Sequence, residues 1–353
     1  MKSLLLSLGA GLVAGLPSQH NVPRAIEELP TLGLANITKI DMATPSGLKH
    51  RALYGPFMGV DFPDPSLIYG DGSWKAYATS SNGKVIPVAT SSDTLSWTLT
   101  TTDALPDPGS WVDPDDQSVW APDVQKNDAG TYVMYYTAHQ NGGNHCIGVA
   151  TSATAVGPFT PQSSPLICDA AGGGVIDASG YDDGTDRWIL WKVDGNSLGG
   201  LTTCQSGTPS GSYESTPIMI QKMARDAMTL EGTATTILDN EGASNDGVVE
   251  APSLYQISSG EYVLFYSAHC YSSDDYDVEY AFSSTIDGSY TNRGILIRTA
   301  DNKGVYGPGG LDIDPNGKNV VFHGRLAANE GGSGARELYS AELTISGTSI
   351  SGV

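Results

Sequence analysis

Basic residues are scarce in this chain. Its 353 residues carry 18 Lys and Arg against 39 Asp and Glu, a formal net charge of -21. A surface of that sign repels phosphate backbones, so nucleic acid is excluded as a partner. Long apolar runs are missing beyond the N-terminus, and no later segment is apolar enough to cross a membrane as a helix. There is no C-x-x-C, which removes zinc ribbons and dithiol redox sites. Neither a G-x-S-x-G elbow nor a Walker A loop occurs, so serine-hydrolase and P-loop chemistry lack their signatures. Sustained 3.6-residue periodicity is also wanting, so helices should be few.

What is present points to export. Met1-Lys2 and the apolar run Leu4 to Leu16 have the charge and length of a signal peptide, expected over residues 1–15, with a buried helix as the alternative. Residues 16–55 lack a period and read as a leader, with an N-glycosylation sequon at Asn36-Ile37-Thr38. Four cysteines, Cys146, Cys168, Cys204 and Cys270, are an even number suited to an oxidising compartment, and three pairings are open. The expected protein is secreted, extracellular and monomeric.

From Pro63 onward, short runs rich in Val, Ile, Tyr, Thr and Trp alternate with Gly, Asp, Asn and Ser, the pattern of strands and turns. The runs recur in order. Each unit opens on a small or acidic residue before apolar ones: Asp64 to Ile68, Ala121-Pro122-Asp123-Val124, Ile176-Asp177-Ala178, Ala251-Pro252-Ser253-Leu254 and Gly310-Leu311-Asp312-Ile313. An aromatic strand follows, such as Thr131 to Tyr136 or Glu261 to Tyr266, and three units end on Trp97, Phe159 and Tyr290. Five units at this spacing predict an all-β, five-bladed β-propeller in one domain over residues 56–353. A two-sheet sandwich would accommodate the strands but does not require the openings to repeat.

In a propeller the openings become the innermost strands, so Asp64, Asp177 and Glu250 should converge at one mouth. Glycoside hydrolysis needs two carboxyl groups in opposite protonation states, and a third can tune them. A bland alternative exists for each: Asp64 as a turn residue, Asp177 as a buried hydrogen-bonded carboxyl. A buried Glu250 without a partner would be costly, which favours a functional role.

These openings resemble glycoside hydrolase family 43, the five-bladed arabinanases, α-L-arabinofuranosidases and β-xylosidases. The likeness runs from about Val60 to Ile345 and rests on Asp64-Pro65-Ser66, Trp120-Ala121-Pro122-Asp123, Ile176-Asp177 with Asp182-Asp183-Gly184, Glu250-Ala251-Pro252, and Ala150-Thr151-Ser152 with Gly157-Pro158-Phe159. The resemblance implies that Asp64 is the general base, Glu250 the general acid and Asp177 a carboxylate that orients the acid and raises its pKa. It implies an inverting enzyme acting on arabinose- or xylose-containing plant polysaccharides or oligosaccharides. It makes Asp123 a structural residue of the inner wall.

Trp120 is a sugar platform or a core aromatic, Arg325 a pocket cation or a surface ion pair, and His323 a substrate contact or a hydrogen-bonded inner histidine. No cofactor is expected. Many family members hold a central cation with a histidine in the fifth opening, where this chain reads Gly307-Pro308-Gly309-Gly310-Leu311-Asp312, so no metal ligand is assigned and calcium is doubtful. The run Asp312 to Gly317 reads as a hairpin turn, because position twelve of a calcium loop would be His323. Asp274-Asp275-Tyr276-Asp277 reads as a solvated loop. Rival functions are a non-hydrolytic sugar-binding propeller and a β-fructosidase-like enzyme, the latter disfavoured by Ile176-Asp177-Ala178 and Glu250-Ala251 in place of Arg-Asp-Pro and Glu-Cys motifs.

Overall fold

The computed structural model describes residues 53–205 and 207–353. The expected signal peptide, most of the leader and Asn36 lie outside the described residues. Five antiparallel sheets follow one another along the chain. Blade one contains Ser66–Gly70, Ser73–Tyr77, Pro87–Ser91 and Thr98–Asp103. Blade two contains Val119–Lys126, Tyr132–His139 and His145–Ser152, with the short strands Thr160–Pro161 and Ile167–Cys168 at its outer edge. Blade three contains Val175–Asp182, Arg187–Val193, Ile218–Met223 and Leu230–Leu238. Blade four contains Val249–Gln256, Tyr262–Ala268, Asp277–Ser283 and Thr291–Ile297. Blade five contains Tyr306–Ile313, Asn319–Arg325 and Glu337–Glu342, and its outermost strand is Leu53–Phe57.

The expected five-bladed β-propeller is therefore the fold. Leu53–Phe57 straddles the boundary expected at residue 56 and pairs antiparallel with Glu337–Glu342, so both ends of the described chain close one blade. That closure removes two free sheet edges.

Second strands are apolar because a neighbouring blade covers each face. Tyr132 to Ala138 is buried throughout. Trp97, Phe159 and Tyr290 each fill a seam: Trp97 packs with Val321 and Leu338 of blade five, Phe159 with Tyr77 of blade one, and Tyr290 with Leu190 and Ile218 of blade three. A buried aromatic of this kind contributes about 1.5–3 kcal/mol. Disulfides join Cys146 to Cys168 within blade two and Cys204 to Cys270 between loops of blades three and four.

Each opening carries a bulge on the inner strand. The register slips between Trp120 and Asp123, Ile176 and Ser179, Glu250 and Ser253, and Gly309 and Asp312. The residue after the first of each pair is left-handed: Ala121 (φ 42°), Asp177 (58°), Ala251 (50°) and Gly310 (59°), and Asp64 (51°) holds the same place in blade one. Four of these five are not glycine, and such a conformation costs an L-residue about 1–2 kcal/mol.

Hydrogen bonds between blades offset that cost. The N–H of the left-handed residue donates to a side chain on, or in blade one just past, the second strand of the preceding blade: Ala121 to Thr79 Oγ1 (2.9 Å), Asp177 to Thr137 Oγ1 (3.0 Å), Gly310 to Ser267 Oγ (2.9 Å) and Asp64 to His323 Nδ1 (3.0 Å). A second belt lies deeper. Gly180 N–H donates to Asp123 Oδ2 (2.7 Å), Ile313 to Ser253 Oγ (3.2 Å) and Leu67 to Asp312 Oδ2 (2.7 Å).

Thr137 is fully buried, so Thr137→Val removes an acceptor and leaves the Asp177 N–H unpaired. Denaturant unfolding should show a loss of about 1–3 kcal/mol, restored by Thr137→Ser. An unchanged midpoint for the valine variant would mean that the bond does not hold the bulge.

Candidate active site

The openings surround a pocket of about 450 Å³ whose lining includes Asp64, Asp177 and Glu250, together with Thr79, Trp120, His145, Lys192, Asp194, Tyr271, Tyr276 and Arg336. The bulge explains the arrangement. Asp64 and Asp177 occupy the left-handed position of their blades, whereas Glu250 stands one residue earlier, at the position of Trp120 and Ile176. Three carboxyls and one aromatic ring thus enter the mouth from two adjacent positions of the repeat: Asp64 and Asp177 from one, Glu250 and Trp120 from the other.

Asp64 is walled by donors. Its Oδ2 accepts the Thr79 hydroxyl at 2.6 Å, and its Oδ1 accepts Arg336 Nη1 at 3.0 Å. Burial alone would raise its pKa, but the Arg336 charge, His323 and the two hydrogen bonds outweigh burial and hold the carboxyl below its ordinary range. Asp64 is an acceptor-only group at neutral pH.

Glu250 is likewise held by a hydroxyl and a cation, but from blades three and four. It is buried, its Oε1 accepts the Tyr276 hydroxyl at 2.8 Å and its Oε2 accepts Lys192 Nζ at 2.9 Å. Asp177 Oδ2 accepts the N–H of Ala251 at 3.0 Å, which fixes the backbone next to Glu250. Burial, then the charge of Glu250, pushes Asp177 well above its ordinary range. Asp177 therefore keeps its proton to higher pH than Asp64 does.

The other expected site residues divide. Trp120 lines the pocket and stacks on His145 with ring centroids 4.0 Å apart. His323 is fully buried beneath Asp64, and burial, ahead of Arg336, lowers its pKa to about 3, in keeping with a neutral ring whose Nδ1 accepts the Asp64 N–H. It supports Asp64 from below. Arg325 is fully buried as well and does not line the pocket; its Nη2 donates to the carbonyl of Tyr271 at 2.5 Å. The arginine that lines the mouth is Arg336, whose guanidinium lies 5.2 Å from the Tyr271 ring centroid.

Lys192, Arg336, Tyr276 and His145 escaped sequence reading. Lys192 gave one signal, a cation inside the apolar strand Trp188-Ile189-Leu190-Trp191. Asp277 corrects another reading, because it is 3% exposed rather than solvated, and burial, then Glu279, pushes it up to about 8.

Beneath the pocket the inner strands enclose a cavity of about 40 Å³ along the propeller axis, lined by Asp123, Asp312, Ser66 and the bulge residues. A central cation would need ligands here. A Cβ at Gly310 would meet His323 Nδ1 at 3.0 Å and the Asp64 Cα at 3.1 Å, so His323 already closes the space where a ligand side chain would begin. Among the described residues no group of three or more His, Cys, Asp or Glu is placed to hold a metal. The residues do not fit a protein-ligated cation.

A propeller whose mouth gathers an ionised carboxyl, Asp64, and a proton-retaining one, Asp177, beside a third, Glu250, has the equipment of a glycosidase. The chain belongs to glycosyl hydrolases family 43, whose model matches residues 54–346, and it is a glycoside hydrolase. A protein of Aspergillus flavus named probable arabinan endo-1,5-alpha-L-arabinosidase C is 30% identical over 62% of this chain and 69% of its own length. Extracellular endo-alpha-(1->5)-L-arabinanase 1 of Bacillus subtilis is 27% identical over 76% and 81%. Among solved structures, a thermostable family-43 glycoside hydrolase aligns with a TM-score of 0.70 at 25% identity, covering 85% of this chain and 95% of that one. A native Bacillus subtilis arabinanase aligns at 0.65 and 26%, covering 85% and 100%.

The axial carboxyls make stability depend on pH. Burial, then Asp123, pushes Asp312 up to about 8, and burial pushes Asp123 up to about 6. Unfolded aspartate titrates near about 3.9, so these two carboxyls keep protons in the folded chain that the unfolded chain has lost, and their contribution to stability falls as pH rises to about 8. His323, held down at about 3 by burial, and Asp64, also held low, act in the opposite sense at acidic pH, and the histidine's share is complete above its unfolded value of about 6.5. Thermal melts should give a higher midpoint near pH 7 than near pH 8.5, and Asp312→Asn should narrow that difference. A midpoint that rises over this interval would contradict the assignment.

Proposed function

We propose that the chain is a secreted, inverting enzyme that cleaves arabinofuranosyl linkages in arabinan or related plant cell-wall polysaccharides and oligosaccharides, with xylosyl linkages as the second substrate class. The observation that carries the reading is the convergence of three carboxyls on one pocket, Asp64 held below its ordinary range and Asp177 held above it beside Glu250. Asp64, ionised and fixed by Thr79 and Arg336, activates a water on one face of the sugar. Glu250 protonates the departing oxygen on the other face. Inversion requires room for a water between base and sugar, with the carboxyl groups about 6.5–9.5 Å apart.

Asp177 has two roles here. It holds the backbone at Ala251, and its like charge favours the protonated state of the pair. Trp120 offers its face to a sugar ring. Arabinan is favoured because the relatives named above are arabinanases; export is favoured by the two disulfides and by the Bacillus relative's being named extracellular. No other partner and no cofactor enters the reaction.

Hydrolysis of arabinan, arabino-oligosaccharides and aryl glycosides tests the assignment. Asp64→Asn should lower kcat by about 10²–10⁴ on every substrate. Glu250→Gln should lower it comparably on oligosaccharides and much less on aryl glycosides whose leaving group needs no proton. Full activity of either variant on oligosaccharides would remove that residue from its role, and an inert wild type would leave the sugar-binding alternative.

A further inference from the structure

The interblade bonds follow one rule in four blades and break it in the third. The second-strand residue paired with the one before the bulge is Thr137 in blade two, Ser267 in blade four and His323 in blade five. Thr79 plays that part in blade one, where its N–H donates to Pro63 O. All four accept the bulge N–H of the next blade. In blade three the residue is Lys192, paired with Ile176. An ammonium has no lone pair and cannot accept, so the Ala251 N–H turns to Asp177 Oδ2.

Lys192 has a different environment. Its side chain is 1% exposed and its Nζ lies 2.9 Å from Glu250 Oε2 and 3.3 Å from Asp194 Oδ1. A buried ammonium is expensive without charged partners; burial works against its proton, but Glu250, Asp194 and Asp177 together hold it above its ordinary range. The groups facing Glu250 are Lys192 and Asp177 from blade three and Tyr276 from blade four. Asp194 lies behind Lys192, and Asp64 with Arg336 and His323 belongs to the neighbouring wall of the same mouth.

We propose that Lys192 is the positioning residue of the acid: it fixes the Glu250 carboxyl in the mouth and receives the negative charge that forms on Glu250 when its proton leaves. This rests on Glu250 being the general acid. As the glycosidic C–O bond breaks, the O–H bond of Glu250 breaks too and the departing oxygen takes the proton. Water bonds to the anomeric carbon and gives its proton to Asp64. The new carboxylate then faces a desolvated ammonium already in place, an arrangement that needs no reorganisation at the moment of transfer. Blade three thus exchanges an interblade acceptor for a cation, and Asp177 takes over the structural duty.

The experiment compares wild type, Lys192→Met, Lys192→Arg and Glu250→Gln on aryl arabinofuranosides with good and poor leaving groups, as pH profiles of kcat/KM. Removing a cation beside a carboxyl favours its protonated form. The alkaline limb of Lys192→Met should therefore move up by about one pH unit or more. Its kcat/KM should fall at least about tenfold on poor leaving groups and less than about threefold on a dinitrophenyl one. Lys192→Arg should restore both. An unmoved limb with equal losses on both leaving groups would overturn the proposal, since lost packing alone would do that. If the methionine variant does not fold by circular dichroism, Lys192→Gln against Lys192→Arg carries the same two readouts. Glu250→Gln separates the underlying reading: if its losses do not depend on the leaving group, the acid assignment fails, and if they do while the Lys192 variants behave alike, only the role of Lys192 fails.

Discussion

The left-handed residue at the head of each inner strand would be unstable if its N–H had no acceptor. A side chain from the preceding blade captures it in every case, from the region of the second strand in four blades and from the innermost strand, as Asp177, for Ala251. The capture does two things together. It stabilises a bulge that four L-residues would otherwise resist, and it locks each blade to its neighbour at the axis. A residue placed at or just before the bulge enters the mouth in a fixed direction. The position of the mouth carboxyls follows from the way the propeller is closed.

The charges at the mouth follow from the same geometry. Asp64 donates its backbone N–H to a neutral histidine and accepts side-chain bonds from Thr79 and Arg336, so ionisation is favoured there despite burial. Glu250 stands one position earlier, is more buried and shares a desolvated space with Asp177, Lys192 and Tyr276. One repeated backbone device delivers two carboxyls into different settings because the second strands behind them differ, histidine in one case and lysine in the other.

Much of this was legible in the sequence. The openings are contiguous, and the residues after the bulge, Pro65, Pro122 and Pro252, recur where helical conformation is disfavoured for the residue before them. That made blade count and the carboxyl trio readable. The supporting cations were not, because they lie elsewhere. Lys192 sits in a second strand whose aromatic neighbours suggest only a core, and Arg336 follows a glycine-rich turn at the rim. Arg325 looked more suitable but is turned behind Tyr271. The closing strand Leu53–Phe57 was hidden as well, since an edge strand with two exposed residues and Pro56 carries little alternation.

The central claim is that Asp64 and Glu250 work from opposite faces of one sugar, through a water rather than a covalent intermediate. Proton NMR of the sugar released in the first turnovers, before mutarotation, reads this directly. From an α-L-arabinofuranosyl substrate the account predicts the β anomer as the first product. Initial release of the α anomer would contradict it, because retention requires a carboxylate nucleophile.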